Sequence, residues 1–251
     1  MFAVTSGKGG VGKTSISVNL GIEFARQKLR TIVVDADLGL ANTHIVAGVK
    51  PTRSLSDYLD GEAELVDIIV PGPMGVKFIS GGSGVKEMAN LDEAGRQHIL
   101  DAVLELRPFC DVIILDTAAG ISRSVTDFVS VSDHTLVVTT PDFAAIADAY
   151  GIIKTLVQEK VSTTMHLLVN RVRSPDEAEQ VCKKLKDCAQ RFLGFDLNWL
   201  GLVPEDHSVE TAVVERRPFS EVYPDSVVAR YVRRAAETLA RLVPADAAPR
   251  A

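Results

Sequence analysis

The chain has 251 residues, of which 46% are hydrophobic and 24% charged, and its net charge is −6. That balance excludes a disordered or fibrous polypeptide, and the acidic excess excludes a surface that grips nucleic acid over its whole extent. Three cysteines are too few for a disulfide framework and read as reduced thiols, consistent with a cytoplasmic setting. No signal-peptide pattern and no apolar run near the ~18 residues that span a bilayer is present.

From the N terminus, Phe2–Thr5 is an apolar run of strand length, followed at once by Gly7-Lys8-Gly9-Gly10-Val11-Gly12-Lys13-Thr14. The pattern G-x-x-x-x-G-K-[ST] is satisfied between a strand and a predicted helix over Thr14–Lys28, the setting it requires. Glycines let the backbone N–H groups from Gly9 through Gly10, Val11 and Gly12 to Thr14 and Ser15 turn towards phosphate oxygens, where a side chain would block the approach. Lys13 supplies a mobile positive charge, and the Thr14 hydroxyl is placed to ligate magnesium.

The next apolar run, Thr31–Val34, leads into Asp35-Ala36-Asp37-Leu38-Gly39. Two residues apart on extended chain, Asp35 and Asp37 project to the same side, so one can hold a magnesium-bound water while the other orients an attacking water. Val76–Ile79 is a further strand, and Ser80-Gly81-Gly82-Ser83-Gly84 after it reads as a flexible turn, since no lysine follows at phosphate-loop spacing. A helix is predicted over Asp92–Leu106. The strand Val112–Leu115 then ends in Asp116, an acceptor for a magnesium water in the Walker B manner.

Thr135–Thr139 is the next strand, and the helix Asp142–Glu159 carries Phe143, Ile146, Tyr150, Ile153 and Val157 at a spacing that predicts one buried stripe. His166–Val169 ends in Asn170, a helix follows over Asp176–Phe192, and Trp199–Leu202 leads to Pro204 and Glu205. In the last helix, Val228–Val243, a wheel gathers Val228, Tyr231, Val232, Ala235, Leu239, Leu242 and Val243 opposite Arg230, Arg233, Arg234 and Arg241. This face is expected to pack on the sheet, leaving at most a weak, salt-sensitive peripheral contact with an anionic membrane. The five histidines show no metal-ligand spacing.

The strands run apolar throughout instead of alternating, as a sheet covered on both faces demands. The expected fold is α/β: a doubly wound, mostly parallel sheet with helices on both faces and ligands at the carboxyl ends of the strands. Residues 1–243 are expected to form a single domain, with a disordered tail over 244–251.

Lys8 is not needed by a plain phosphate loop. The run Lys8 to Thr14 resembles the K-G-G-x-x-K-[ST] signature of the MinD/ParA ATPases, the deviant Walker A group, and Asp35-Ala36-Asp37-Leu38-Gly39 is similar to their switch I, D-x-D-x-G. The resemblance implies a switch that hydrolyses ATP to ADP and phosphate with Mg²⁺ and forms a homodimer around the nucleotide. It further implies that Lys8 reaches the partner's phosphates, that Asp37 orients water and that Asp35 lies nearer the magnesium shell with Thr14 and Asp116. Lys8, Lys13 and Asp37 would then be catalytic, and Asn170, Pro204 and Glu205 would contact adenine. Asn170-Arg171-Val172-Arg173 lacks the lysine and aspartate of the guanine motif, which favours ATP. Within the group, Leu38–Asn42, Leu55–Gly61, Gly81–Gly84 and Asp116–Ile121 look most like the regulators of flagellar number and placement, which implies a regulatory protein partner.

Other classes compete with this reading. A partition ATPase would hold DNA on a basic face, but the C-terminal cluster sets six arginines against three carboxylates, a modest excess that a solvated helix face explains at least as well, so nucleic acid is not expected as a partner. An electron carrier would need interface cysteines, and a tyrosine kinase of this fold a tyrosine-rich tail; neither is present. A nucleotide-binding scaffold without turnover is the remaining alternative, and measured turnover separates it.

Overall fold

The computed structural model describes residues 1–82 and 92–244. Ser83 and Gly84 of the expected turn, and the tail beyond Pro244, lie outside the described residues. The strands are β1 (Phe2–Ser6), β2 (Thr31–Ala36), β3 (Ile69–Pro71), β4 (Lys77–Ile79), β5 (Val112–Ala119), β6 (His134–Thr139), β7 (Thr164–Val172) and β8 (Asn198–Pro204). They form one sheet in the order β3-β4-β2-β5-β1-β6-β7-β8, parallel except for β3, which runs antiparallel to β4 at the edge.

Between them lie α1 (Lys13–Arg26), α2 (Thr43–Ala47), α3 (Leu55–Leu59), α4 (Glu93–Glu105), α5 (Arg123–Ser130), α6 (Phe143–Gln158), α7 (Pro175–Leu193), α8 (His207–Glu215), α9 (Phe219–Val222) and α10 (Val227–Ala240). The apolar strands divide by parity. Phe2, Val4 and Val33 pack with α1 and α10 on one face, whereas Ala3 joins the α6–α7 cluster and Ile32 and Val34 the α4 cluster on the other. Both faces are thereby dry, which is why no strand of the sheet centre needs polar alternation.

Five helix starts are fixed by side chains accepting orphan amide hydrogens: Asp92 from Gly95, Asp142 from Ala145, Ser174 from Glu177, Asp206 from Ser208 and Ser226 from Ala229. Pro175 at the first position of α7 costs nothing there, because its missing N–H would have been an orphan.

Three expectations change. Phe143 is not in the buried stripe of α6: it is 85% exposed, and the face against the sheet is made by Ala145, Ala149, Ile152, Ile153 and Leu156. As the first residue of the helix it stands past the end of β6 at Thr139, where no strand side chain reaches it, while alanines let the helix approach the sheet. Arg233 does not lie wholly in water opposite the apolar face of α10; its Nε donates at 3.0 Å to the buried carboxylate of Glu23 on α1. Leu242, assigned to the apolar face, is 41% exposed beyond the helix end. The helix nonetheless packs on α1 and β8 through Val228, Val232, Ala235, Ala236 and Leu239, so its apolar face is spent on the core. No described helix is long and apolar enough to cross a membrane.

Candidate nucleotide site

The order β2-β5-β1-β6 brings four chain segments into one row at the carboxyl edge of the sheet. Asp116 on β5 is the register partner of both Asp35 on β2 and Val4 on β1, so the two carboxylates lie beside the start of the glycine loop. Gly12 ends that loop in a left-handed conformation (φ 97°), and a Cβ there would strike the amide of Asn170. Glycine is therefore required on two counts.

Lys13 points inward. Its Nζ donates to Ser6 Oγ at 3.0 Å, and Ser6 Oγ donates in turn to the carbonyl of Lys8 at 2.8 Å. Burial lowers the Lys13 pKa, opposed by the negative charges of Asp116 and Asp37, so the ammonium sits between two carboxylates with little water. Asp116 accepts from Ser17 Oγ at 2.9 Å and from the Thr14 hydroxyl, while burial outweighs these bonds and pushes its carboxyl up to about 6. A buried pair of carboxylates flanked by a threonine hydroxyl is a hard oxygen donor set, and it fits Mg²⁺, which takes few protein ligands and keeps waters.

Asp35, expected nearest the magnesium shell, does something additional. Its Oδ2 accepts from Asn42 N (2.7 Å), Thr43 N (2.8 Å) and Thr43 Oγ1 (2.9 Å), and its Oδ1 from Asp37 N at 3.2 Å. These donors make Asp35 the anchor of the loop over 37–43, leaving Thr14 and Asp116 as the groups better placed for a cation. Burial and the adjacent Asp116 push the Asp35 carboxyl up to about 7 against those four bonds. Asp37 itself is half-buried and, among the described residues, accepts only from Leu40 N, at 3.1 Å.

Lys8 points the opposite way from Lys13. Its exposed Nζ meets Asp142 Oδ2 at 2.8 Å, and the same carboxylate caps α6. Lys8, Gly9, Gly10 and Val11 form one wall of a cavity of about 470 Å³, with Asp142, Arg171 and Glu205 opposite. Behind the loop a second cavity of about 170 Å³ gathers Gly12, Ser15, Asn170, Pro204 and Glu205, so the three residues expected at the base share one space. Asn170 is committed in part: its Nδ2 donates to Val11 O at 2.8 Å and its Oδ1 accepts from Arg171 N.

Ser6, Ser17, Thr43, Asp142 and Arg171 are site residues that sequence patterns did not single out. Asp142 carried a usable signal, an aspartate just past an apolar strand-forming run, as Asp116 is. Arg171 carried none, because it is thrown outward by an irregularity of β7 between Asn170 and Val172, with φ 56°. Among the described residues no three of His, Cys, Asp and Glu cluster as a metal site of that kind.

A sequence profile of the CobQ/CobB/MinD/ParA nucleotide-binding domain matches residues 2–219. The chain is 38% identical to the antiactivator FleN of Pseudomonas aeruginosa over 226 residues, 90% of this chain and 81% of that protein. It is 33% identical to the flagellum site-determining protein YlxH of Helicobacter pylori over 250 residues, 94% of this chain and 80% of that one. Its fold matches the cell division ATPase MinD of Pyrococcus furiosus with a TM-score of 0.81 at 24% identity, covering 96% of this chain and 98% of that one. The MinD of Pyrococcus horikoshii complexed with Mg-ADP matches equally, at a TM-score of 0.81 and 24% identity over 96% of each chain. With the profile matched over residues 2–219 and relatives at 38% and 33% identity over nearly the whole chain, the chain belongs to the MinD/ParA family of P-loop ATPases.

Proposed function

We propose that the protein is a dimerising ATP switch that hydrolyses ATP to ADP and phosphate and acts in placing or counting flagella. One observation carries the dimer: the two loop lysines face opposite ways, Lys13 half-buried against Ser6 and Lys8 exposed. Lys13 serves the phosphates of its own site. Lys8 reaches outward to Asp142 at the carboxyl edge of the sheet, where exposed apolar side chains follow β2, β5 and β6. These are Leu40, 71% exposed, Ile121, 59%, and Phe143, 85%. Exposed apolar groups and an exposed cation at one edge of the sheet suit a face that a second copy covers.

In this reading backbone amides from Gly9 to Ser15 hold phosphate oxygens, and Thr14 and Asp116 would hold Mg²⁺, with Asp35 ordering the loop beside it. Bound there, the metal neutralises charge on the phosphate oxygens. Asp37, projecting from the loop that Asp35 anchors, orients the attacking water. Lys8 leaves Asp142 and adds a cation to the partner's phosphates, resembling an arginine finger. Asn170, Pro204 and Glu205 would bound the adenine. The flagellar role is supported by the likeness to FleN and YlxH.

Size-exclusion chromatography with light scattering, in ATP and then ADP, tests the switch. Wild type should dimerise with ATP alone. Lys13→Ala should lose ATP binding by calorimetry; Lys8→Ala should keep binding and lose both dimer and turnover; Asp37→Ala should keep a long-lived dimer. A turnover rate per chain that does not depend on protein concentration would refute the dimer.

A further inference from the structure

Away from the nucleotide mouth, a cleft of about 820 Å³ opens between two corners of the fold. One wall is α2 and the loop running to α3; the other is the turn between α8 and α9. On a chain of net charge −6 this cleft is cationic, lined by Lys50, Arg53, Arg216 and Arg217 against only Asp57 and Glu215.

Pairing within the chain sharpens the contrast. Asp57 is consumed by Ser54 N and Oγ and by Arg53, and Glu215 accepts from the Tyr223 hydroxyl at 2.9 Å. Arg217 is held by Glu221. Lys50 and Arg216, both exposed and on opposite walls, have no ion pair among the described residues. His44 lines the same space, with an Nδ1 that is shut from solvent and has no hydrogen-bond partner among the described residues. Ile45, Val49 and Pro51 put apolar carbon between the charges, and Ile45 is 43% exposed. Two unpaired cations separated by apolar carbon match alternating carboxylates and apolar side chains better than they match a small free anion.

The cleft is also wired to the switch loop. Gly48, left-handed at φ 68°, closes α2 and abuts the carbonyl of Arg216 so closely that no Cβ would fit. At its other end α2 starts at Thr43, whose amide and hydroxyl both bind Asp35. Any shift between the cleft walls therefore moves α2, and α2 pulls on the carboxylate that sets Asp37.

We propose that this cleft docks an acidic polypeptide segment carrying apolar residues, presented by a protein partner, and that docking is transmitted through α2 and Asp35 to Asp37. The transmission rests on the ATPase reading above; the docking does not.

Fluorescence anisotropy with the full chain tests it, using a fluorescein-labelled peptide of alternating Glu and Leu and its Lys-Leu counterpart. Wild type should bind the Glu-Leu peptide, more weakly at high salt, and ignore the Lys-Leu peptide. Lys50→Glu with Arg216→Glu should weaken binding roughly tenfold or more, since two attractions become repulsions. Lys50→Gln with Arg216→Asn should fall between, and asparagine tolerates the left-handed backbone at 216 (φ 53°) should the reversal disturb folding. Lys13→Ala should bind the peptide as wild type does, so a failed nucleotide reading leaves the docking result intact. With ATP and Mg²⁺ the peptide should change the turnover of wild type and not that of the double variant. Equal binding by the double variants, or no binding by wild type, would overturn the docking site. Capture of phosphatidylglycerol vesicles in place of the peptide, lost in the double variants, would overturn it in favour of a membrane-facing patch. Peptide binding without a change in turnover would overturn the transmission.

Discussion

Asp35→Asn separates the two forces on the buried carboxylate that anchors the switch loop. Four donors from Asp37, Asn42 and Thr43 pull it towards its charged form, whereas burial and Asp116 push it back, and the push prevails at about 7. Between about pH 4 and pH 7 the folded chain keeps a proton that the unfolded chain has released. Wild-type stability must therefore fall as pH rises through that interval and level off above it. Asparagine mimics the protonated state: its Oδ1 can take the three donors of Asn42 and Thr43, while its amide faces the Asp37 N–H at a cost of about 1 kcal/mol. That cost does not depend on pH. A shift of about three units is a ceiling of ~4 kcal/mol, of which roughly 2 kcal/mol develops between about pH 5 and pH 8. Removing the Asp35 charge also eases ionisation of Asp116, which acts in the same direction. Urea unfolding of both proteins without nucleotide or magnesium, at several pH values, reads the difference. The Asn variant should gain on wild type by roughly 2 kcal/mol as pH rises while losing turnover. Parallel stability profiles would show that the carboxyl is ionised in the fold throughout, and the reasoning would fail.

Two further outcomes follow from positions outside the nucleotide mouth. His166 on β7 is buried beside His134 at 3.4 Å, and burial lowers its pKa to about 4. The unfolded chain takes up this proton first, so stability is complete above about pH 6.5 and declines towards about pH 4. The loss is roughly 1–2 kcal/mol after allowing for water at the sheet end. Thermal melts across this range should show a smaller decline for His166→Asn, and an unchanged decline would refute the assignment. Gly48→Ala adds a Cβ against the Arg216 carbonyl to the left-handed penalty, whereas Gly61→Ala, at φ 71° with open space around it, carries the backbone penalty alone. The first should cost about 2–3 kcal/mol and the second about 1 kcal/mol in urea unfolding; equal losses would mean that the α2–α9 corner can part freely.

The fold was legible wherever apolar residues ran together. Val112–Leu115 and Leu167–Val169 have no alternation because α-helices cover both sides of them, and that requirement can be read from a single segment. It fails for β3 at the sheet edge, where Ile69 and Val70 are half-buried and Pro71 is exposed. It fails for α2, α3 and α9 as well, each too short to show a helical period. Phe143 shows the limit of periodicity in another way. Its spacing matches Ile146 and Tyr150, but burial also needs a partner, and the strand beneath it has already ended.

The site divides along the same line between local and non-local chemistry. Lys13, Thr14 and the glycines act within one turn, so their order in the chain is their geometry. Asp35 and Asp116 are 81 residues apart in the chain, yet one strand register sets them side by side; burial raises both pKa values, and the Asp116 charge adds to the rise at Asp35. Lys8 and Asp142 are separated by 134 positions and meet because β1 and β6 are neighbours in the sheet. A pattern in the sequence can say that each group is present. Only the strand order says which charges face one another, and it makes the free chain hold its outward lysine on its own carboxylate. In the proposed dimer that 2.8 Å pair must open, and because both groups face solvent the step costs little. A weak latch of this kind suits a switch: it keeps Lys8 ordered near the mouth without competing seriously with a partner's phosphates.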